Sequence, residues 1–413
     1  MTVSSFSGGT PNSNKEKYWN GNILWASPKD FTGEITLSDT QDRISEVGKS
    51  EAGLKIAEPG AILLVVRSGI LKHTLPVAVC AYPMTVNQDI RVLNLAPELN
   101  TLFLAEFLSA GQDRILPRIT KHSTTVQSIN TAELDMLPIP IPPLEIQTAL
   151  VDQLQTAREQ RRRNLAEADS LLSTMDGWLL EKLGIQIATP PNRFAYATKA
   201  GDINRQQRMN ADYFHPERTL TIRAIAEQFV HLSPTPLHEV AYFLRDRSDA
   251  SVDPYLGLAR VQSNTGELTN VTEEIEGECL LFAENDVLFA KLRPYLNKVY
   301  RAEFAGSCSP EFHVIRVRGD SDVIPDYLAT ILRSQLIVSQ TKHMMTGNTH
   351  PRITSEDVVN LVIPIPDLPM QGVIVEEIKR RRNEARRLRA EAEAEWNAAK
   401  AHFEAQLLSR VEA

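Results

Sequence analysis

Long apolar runs, a cysteine framework and a secretion leader are all missing from this chain. Its longest aliphatic run is AILLVV at 61–66, far short of the roughly 20 residues a membrane-spanning helix needs. Cys80, Cys279 and Cys308 are odd in number and share no CxxC or His-bearing metal spacing. They therefore read as reduced packing thiols rather than a disulfide scaffold, and no metal site is expected. The opening MTVSSFSGGTPNSN has neither a basic start nor an apolar core, so the expected location is the cytoplasm, with no membrane partner.

Catalytic signatures are missing too. There is no GxGxxG opening a helix, no P-loop, no HExxH, no GxSxG and no Asn-Pro-Pro-aromatic of an amino-methyltransferase. Pro366-Asp367 followed by Glu377-Ile378-Lys379 has the letters of a PD-ExK nuclease site. That site needs its Glu and Lys on a strand, so that alternate side chains reach one metal, and EEIKRRRNEARR reads as helix. A non-catalytic chain is expected.

Positive charge is outnumbered overall, with a formal net charge of −8, which argues mildly against a surface coated in positive potential. Basic residues nevertheless recur in the Gly- and Pro-punctuated stretches LFAKLRPYLNKVYR (288–301) and TKHMMTGNTHPR (341–352), leaving room for a local basic surface. The Arg161–Arg163 and Arg380–Arg382 runs sit in helical sequence, where such runs are ordinarily solvated faces or salt bridges.

What the chain does have is length and a repeat. Its 413 residues, 42% hydrophobic and 23% charged, suit two globular units plus extra elements. INTAELDMLPIPIP (129–142) returns as ITSEDVVNLVIPIP (353–366), and Gln147 returns as Gln371, at one constant offset without a gap. Upstream, IAEPGAILLVVR (56–67) resembles LFAENDVLFAKLR (281–293), DIRV (89–92) resembles VIRV (314–317), and TGEIT (32–36) resembles TGELT (265–269). Two similar domains related by an approximate twofold are expected.

Each copy has two parts. The first mixes short β-type runs (ILLVV, PVAVC, FHVIRV) with turns and a helical stretch such as 99–110 or 324–335, which predicts a compact mixed α/β domain. The second follows the Pro-Ile-Pro stop. From Leu144 to Leu183 there is no proline, and Val151, Leu154, Arg158, Arg161, Leu165, Ala168, Leu172, Met175 and Leu179 alternate steps of three and four, the spacing of a coiled-coil seam. Such a helix is ~60 Å long. The second copy, 368–408, has a weaker seam of Ile374, Ile378, Ala385, Leu388, Ala392 and Ala399. Two amphipathic helices of one repeat can bury their stripes on each other, so an antiparallel coiled coil separating the two α/β domains is expected. The predicted boundaries are 1–141 and 188–365 for the domains, with 142–187 and 366–413 for the long helices.

SGGTPNSNKEKYWNGNILWASPKDF (7–31), LPIPIPPLEIQTALV (137–151) and GNTHPRITSEDVVNLVIPIPDLPMQ (347–371) resemble the specificity subunit of type I restriction-modification systems, over essentially the whole chain. Two departures stand out. Family members usually carry a segment before the Gly-Gly-Thr-Pro comparable to PLHEVAYFLRDR (236–247), whereas that motif begins here at Gly8, and the second helix starts DLPMQ where the first starts PLEIQ.

The resemblance implies that each α/β domain is a target recognition domain reading one half of a bipartite, asymmetric site on double-stranded DNA. The paired helices then fix the unread spacer and dock two methylation subunits, which carry the S-adenosylmethionine; this chain binds no cofactor itself. Restriction/translocase subunits join outside them. Phosphates call for Lys or Arg, guanine for Arg or Lys, and adenine for Asn or Gln. On that basis the DNA-contacting candidates in the first domain are Lys29, Arg67, Lys72, His73, Lys121 and Thr124. In the second they are Arg260, Gln262, Lys291, Arg293, Tyr295, Lys298, Lys342, Asn348 and Arg352. Trp25 and Tyr18 read as core or rim aromatics. Partner docking is expected through Leu144, Gln147, Leu154, Leu165, Leu172, Ile374, Ile378 and Leu388. The alternative is a coiled-coil interaction scaffold that binds proteins and no DNA.

Overall fold

The computed structural model describes residues 2–121, 126–190, 195–206, 208–228, 234–249, 251–273, 277–347 and 349–408. Two compact units emerge, one of residues 1–165 with 389–413 and the other of residues 166–388. The division falls inside both long helices. Each unit thus holds the start of one copy's helix and the end of the other's.

In the first unit a five-stranded sheet runs in the order Thr2–Ser7, Ile90–Leu95, Ile62–Val65, Val77–Cys80, Thr36–Leu37. All neighbours are antiparallel except the last pair. The strand Trp19–Ala26 lies between Asp42–Ile44 and Met84–Val86, and a ribbon joins Thr120–Lys121, Gln127–Ile129 and Arg67–Ser68. The second unit repeats the plan. Ala241–Leu244, Phe312–Val317, Val287–Ala290 and Val299–Arg301 form one antiparallel sheet, and Arg247–Ser248, Cys279–Phe282, Gly306–Cys308 and Tyr255–Leu256 form another. The edge strand Thr2–Ser7 pairs with Ile90–Leu95 as Ala241–Leu244 pairs with Phe312–Val317. The strand half of the PLHEVAYFLRDR segment therefore has a counterpart in the first unit.

Physical reasons for the repeated words are now visible. A Cβ on Gly8 would lie 1.7 Å from the Val86 carbonyl oxygen, so the chain passes there only as glycine. The Trp25 indole donates to the Gly9 carbonyl at 3.0 Å. Asp30 accepts from both the backbone N–H (2.8 Å) and the hydroxyl (3.0 Å) of Ser27, closing the turn of Trp-x-Ser-Pro-x-Asp. Asn130 and Thr354, equivalent positions of the repeat, cap the short helices Thr131–Asp135 and Ser355–Val359 by accepting from Ala132 and Asp357.

The prolines then force an extended strap, and a buried glutamine fastens it. Gln147 accepts from the Asn100 N–H (2.8 Å) and donates to the carbonyls of Pro142 (2.8 Å) and Glu98 (3.4 Å). Gln371 accepts from the Ile324 N–H (2.9 Å) and donates to the carbonyls of Pro366 and Asp322, both at 2.8 Å. Every partner in one copy is separated from its equivalent in the other by the same offset that separates the two glutamines. Both glutamines are buried.

The long helices follow. The first comprises Leu144–Ser173 and, after a one-residue interruption at Thr174, Met175–Leu183. The hydroxyls of Ser173 and Thr174 both donate to the Ser170 carbonyl, which disturbs the ladder there. Gly184, left-handed at φ 68°, ends the helix. The second runs unbroken from Leu368 to Leu408.

Each core takes side chains from both helices. In the first unit Leu150, Val151 and Leu154 meet Phe403 and Leu407, with the Phe103 and Phe403 rings 5.9 Å apart. In the second, Ile374, Val375 and Ile378 meet Leu179 and Leu183, and Ala168 packs on Ala385 and Leu388.

Removing either clamp strands buried backbone groups. Gln147→Ala or Gln371→Ala is therefore expected to destabilise its own unit by about 3 kcal/mol in urea unfolding; a loss below ~1 kcal/mol would show that the strap holds without it.

His313 is buried on the central strand of the second unit, stacked on Phe243 with centroids 5.0 Å apart. Burial, and then the charge of Lys291, push it down to about 3. The unfolded chain takes up this proton near the ordinary histidine value and the folded chain only well below it, so stability declines as pH falls through that window. About 2 kcal/mol should vanish between pH 6.5 and 5. Urea midpoints at the two pH values check this, and His313→Leu should flatten the dependence.

Candidate nucleic-acid interface

In the first unit the ribbon gathers four of the predicted contacts. Its register sets Lys121 opposite Ser128 and Ser128 opposite Arg67. The turn Gly69–Lys72 follows directly, carrying Lys72 and then His73. All four side chains are exposed and make no ion pair among the described residues. Lys29 lies elsewhere, on the turn Pro28–Asp30, where its ammonium meets Asp42 at 2.7 Å. Thr124 falls outside the described residues.

The second unit builds the same corner differently. Arg352, the counterpart of Ser128 in the repeat, bridges Leu292 on one side and Thr346 on the other. It is held by Glu311, with Nε–Oε2 at 2.9 Å and Nη2–Oε1 at 2.8 Å. Arg293 is left-handed at φ 47° and donates its N–H to the Pro351 carbonyl, which throws its exposed side chain outward beside Tyr295, 43% exposed.

Lys291 and Lys298 are turned toward carbonyls, donating to Pro310 (2.6 Å) and Leu258 (2.7 Å), and burial lowers both their pKa values. These two are corrections. Their ammonium groups are engaged by loop carbonyls. The Lys298 bond also draws in the turn that carries Arg260 and Gln262. Arg260 donates back to the Tyr255 carbonyl at 3.4 Å, while Gln262 is exposed and accepts from the Thr265 hydroxyl.

Lys342 belongs to a separate cluster, bonded to Glu217 at 3.1 Å beside His343. Asn348 lies outside the described residues. In that cluster the ligand atoms of His215, Glu217 and His343 lie within 4.8 Å of one another. However, Lys342 and His343 already meet Glu217, and the two imidazoles stack at 3.8 Å and 14° instead of aiming at a common centre.

The docking residues need a larger correction. Gln147, Leu154, Ile374, Ile378 and Leu388 are buried within their own units, where they pack on the chain itself. Leu165 and Leu172 are half-buried, and only Leu144, at 51%, is exposed. The seam pattern marks what the chain packs on itself. Leu368, the counterpart of Leu144 in the repeat, is exposed to 45% at the start of the second helix.

Sequence reasoning missed the pairing that fastens the first helix to its domain. Glu106, 1% exposed, takes Arg158 in a two-pronged ion pair, with Nη2–Oε2 at 2.8 Å, and the Arg158 guanidinium covers the Trp396 ring at 5.0 Å. Arg161 pairs with Glu393 at 2.6 Å. The spacing that put Arg158 in the seam was the available signal; its partner Glu106 sits 52 residues away, on the helix Thr101–Ala110.

The nuclease-like letters are dispersed. Asp367 caps the second long helix by accepting from Met370, and Glu377 takes Arg380 and Arg381 on that helix. The thiols are free and buried, with Cys80 pushed up to about 11 and Cys308 to about 12 by burial. No helix among the described residues is long and apolar enough to cross a membrane.

Comparison with known proteins matches this arrangement. The sequence profile of the type I restriction modification DNA specificity domain fits twice, over residues 3–165 and 241–394. The chain belongs to that family. It is 32% identical over 150 residues to the EcoR124I/EcoR124II type I restriction enzyme specificity subunit of Escherichia coli, covering 36% of this chain and 37% of that protein. With the EcoDI specificity subunit of Escherichia coli it shares 21% identity over 284 residues, 64% of this chain and 60% of that one. The matches thus span less than two thirds of those relatives' lengths. A solved chain from work on complex assembly and conformational transition of the type I R-M system aligns with a TM-score of 0.57 at 14% identity, covering 98% of this chain and 94% of that one, a likeness of fold.

Glu106→Gln should uncover the cost of a buried arginine without its carboxylate. A loss of about 3 kcal/mol in the first unit is expected by urea unfolding, and an unchanged midpoint would show that Trp396 alone holds Arg158.

Proposed function

We propose that this chain is the DNA sequence-specificity subunit of a type I restriction-modification complex. The observation that carries the reading is the twofold occurrence of the DNA specificity domain, each copy on its own α/β unit with a basic, exposed corner. One unit presents Arg67, Lys72, His73 and Lys121; the other presents Arg293, Tyr295, Gln262 and Arg352. The two corners differ in sequence, which favours an asymmetric, bipartite target on double-stranded DNA.

The long helices, in this reading, pair as an antiparallel coiled coil and set the unread spacer. The local contacts of Arg158 with Trp396 and Arg161 with Glu393 in one unit, and of Ala168 with Ala385 in the other, support that pairing. Two methylation subunits dock on the outward faces, with Leu144 and Leu368 as equivalent exposed leucines at the helix starts. Restriction/translocase subunits join outside them. The chain itself carries out no chemistry. Catalysis and S-adenosylmethionine belong to the methylation subunits.

Co-expression with its methylation subunits, followed by genome-wide mapping of methylated adenine, tests this. A bipartite asymmetric motif is expected, and removing about one heptad from each long helix should change the spacer while keeping both half-sites. Absence of any motif would favour the protein scaffold; changed half-sites would detach the helices from the spacer.

A further inference from the structure

Within the second unit, a cavity of about 390 Å³ opens between the second long helix and the sheet, and half of its lining residues are charged. Asp326 is shared by Arg301 at 3.2 Å and Lys379 at 3.7 Å. Glu267 is shared by Arg382 at 3.5 Å and Arg386 at 3.1 Å. Arg333, only 9% exposed, meets no carboxylate at ion-pairing distance among the described residues, and one of its N–H groups goes to the Val299 carbonyl at 3.0 Å. Glu303 is the remaining acid of the lining. Five cations (Arg301, Arg333, Lys379, Arg382, Arg386) thus face three carboxylates (Glu267, Glu303, Asp326) in the lining, and Asp176 acts on Arg333 from the adjoining wall, so five positive charges against four negative leave a surplus of one.

That surplus is costly at Arg333, the buried member of the set, whereas Lys379 and Arg386 remain about half exposed. Burial, followed by the Arg382 charge, brings Arg333 down to about 9. Burial also lowers Arg382, with Glu267 opposing and Arg386 adding to the effect.

The first unit shows the same corner neutralised. In the register of the repeat, Arg158 corresponds to Arg382, its carboxylate partner Glu106 corresponds to Thr330, and Ser109 corresponds to Arg333. The second unit therefore lacks the acid and carries an extra arginine at equivalent places. The Thr330 hydroxyl is occupied in its own helix, donating to the Asp326 carbonyl at 2.8 Å.

We propose that this cavity binds a small phosphate-bearing anion, whose phosphoryl group takes the place that the Glu106 carboxylate fills in the first unit. A phosphate-bearing anion matches the sign of that surplus, and its oxygens match the forked donors of Arg333, Arg382 and Arg386. The cavity has space beyond one phosphoryl group, so the anion is inorganic phosphate, pyrophosphate or the phosphate end of a nucleotide. The site is independent of the DNA-reading corners.

Calorimetric titration of the full chain with sodium phosphate, pyrophosphate and a nucleoside monophosphate, against chloride at equal ionic strength, tests this. Saturable binding of at least one phosphate species is expected, and the tightest of the three identifies the source. Thr330→Glu supplies the carboxylate of the other unit and should weaken that binding by about tenfold or more, while Thr330→Val should leave it intact. Arg333→Gln should weaken it independently, so a folding defect in one variant does not decide the matter. The proposal is overturned if no phosphate species binds better than chloride, or if Thr330→Glu and Arg333→Gln both keep wild-type affinity. It is also overturned if both variants lose duplex DNA binding and leave phosphate titration unchanged.

Discussion

One buried amide, used twice, is the constraint on which the rest of this structure depends. The strap of alternating Pro and Ile cannot hydrogen-bond as a helix, and it must deliver a long helix onto the domain it has just left. Gln147 and Gln371 each solve this with three bonds, to the start of a domain helix on one side and to the strap carbonyl of Pro142 or Pro366 on the other. Because all three partners are backbone groups, the clamp is indifferent to which side chains decorate the domain. Everything above it is free to vary, and everything below starts from a fixed point.

That division explains what the residues disclosed. Ser27, Asp30, Asn130 and Thr354 sit in words conspicuous in sequence because their chemistry is local: a turn box and two helix caps. The seam was visible because three-and-four spacing is an address on a helix surface. What that address could not disclose was the occupant. Leu154, Ile378 and Leu388 face the chain's own interior, since an apolar stripe is the same whether its partner is covalently attached or not. Leu144 alone of the docking set remained open, because it lies on the first turn, before the helix meets its domain.

The reading surfaces were the least legible. Lys291 and Lys298 looked like DNA contacts by residue type, yet their ammonium groups cap carbonyls, and only the folded loop shows where those carbonyls lie. Arg67, Lys72, His73 and Lys121 come from two distant segments and were joined by a ribbon whose strands are too short to register as alternation. The contrast between Glu106 and Thr330 was likewise hidden, since its meaning depends on an arginine far along the chain, on a different helix.

The exchange of helix ends carries a consequence for biosynthesis. The ring that Phe103 packs on, Phe403, is made about 300 residues later (403 − 103). At translation rates of roughly 5–20 residues per second, the first unit would wait ~15–60 s with its core open. The second waits far less, because Leu179 and Leu183 are already synthesised when its sheets form and Ile374, Val375 and Ile378 follow soon after them. A ribosome that stalls late would therefore release a finished second half beside an unfinished first, and premature termination would be exposed to proteolysis at the older end of the molecule.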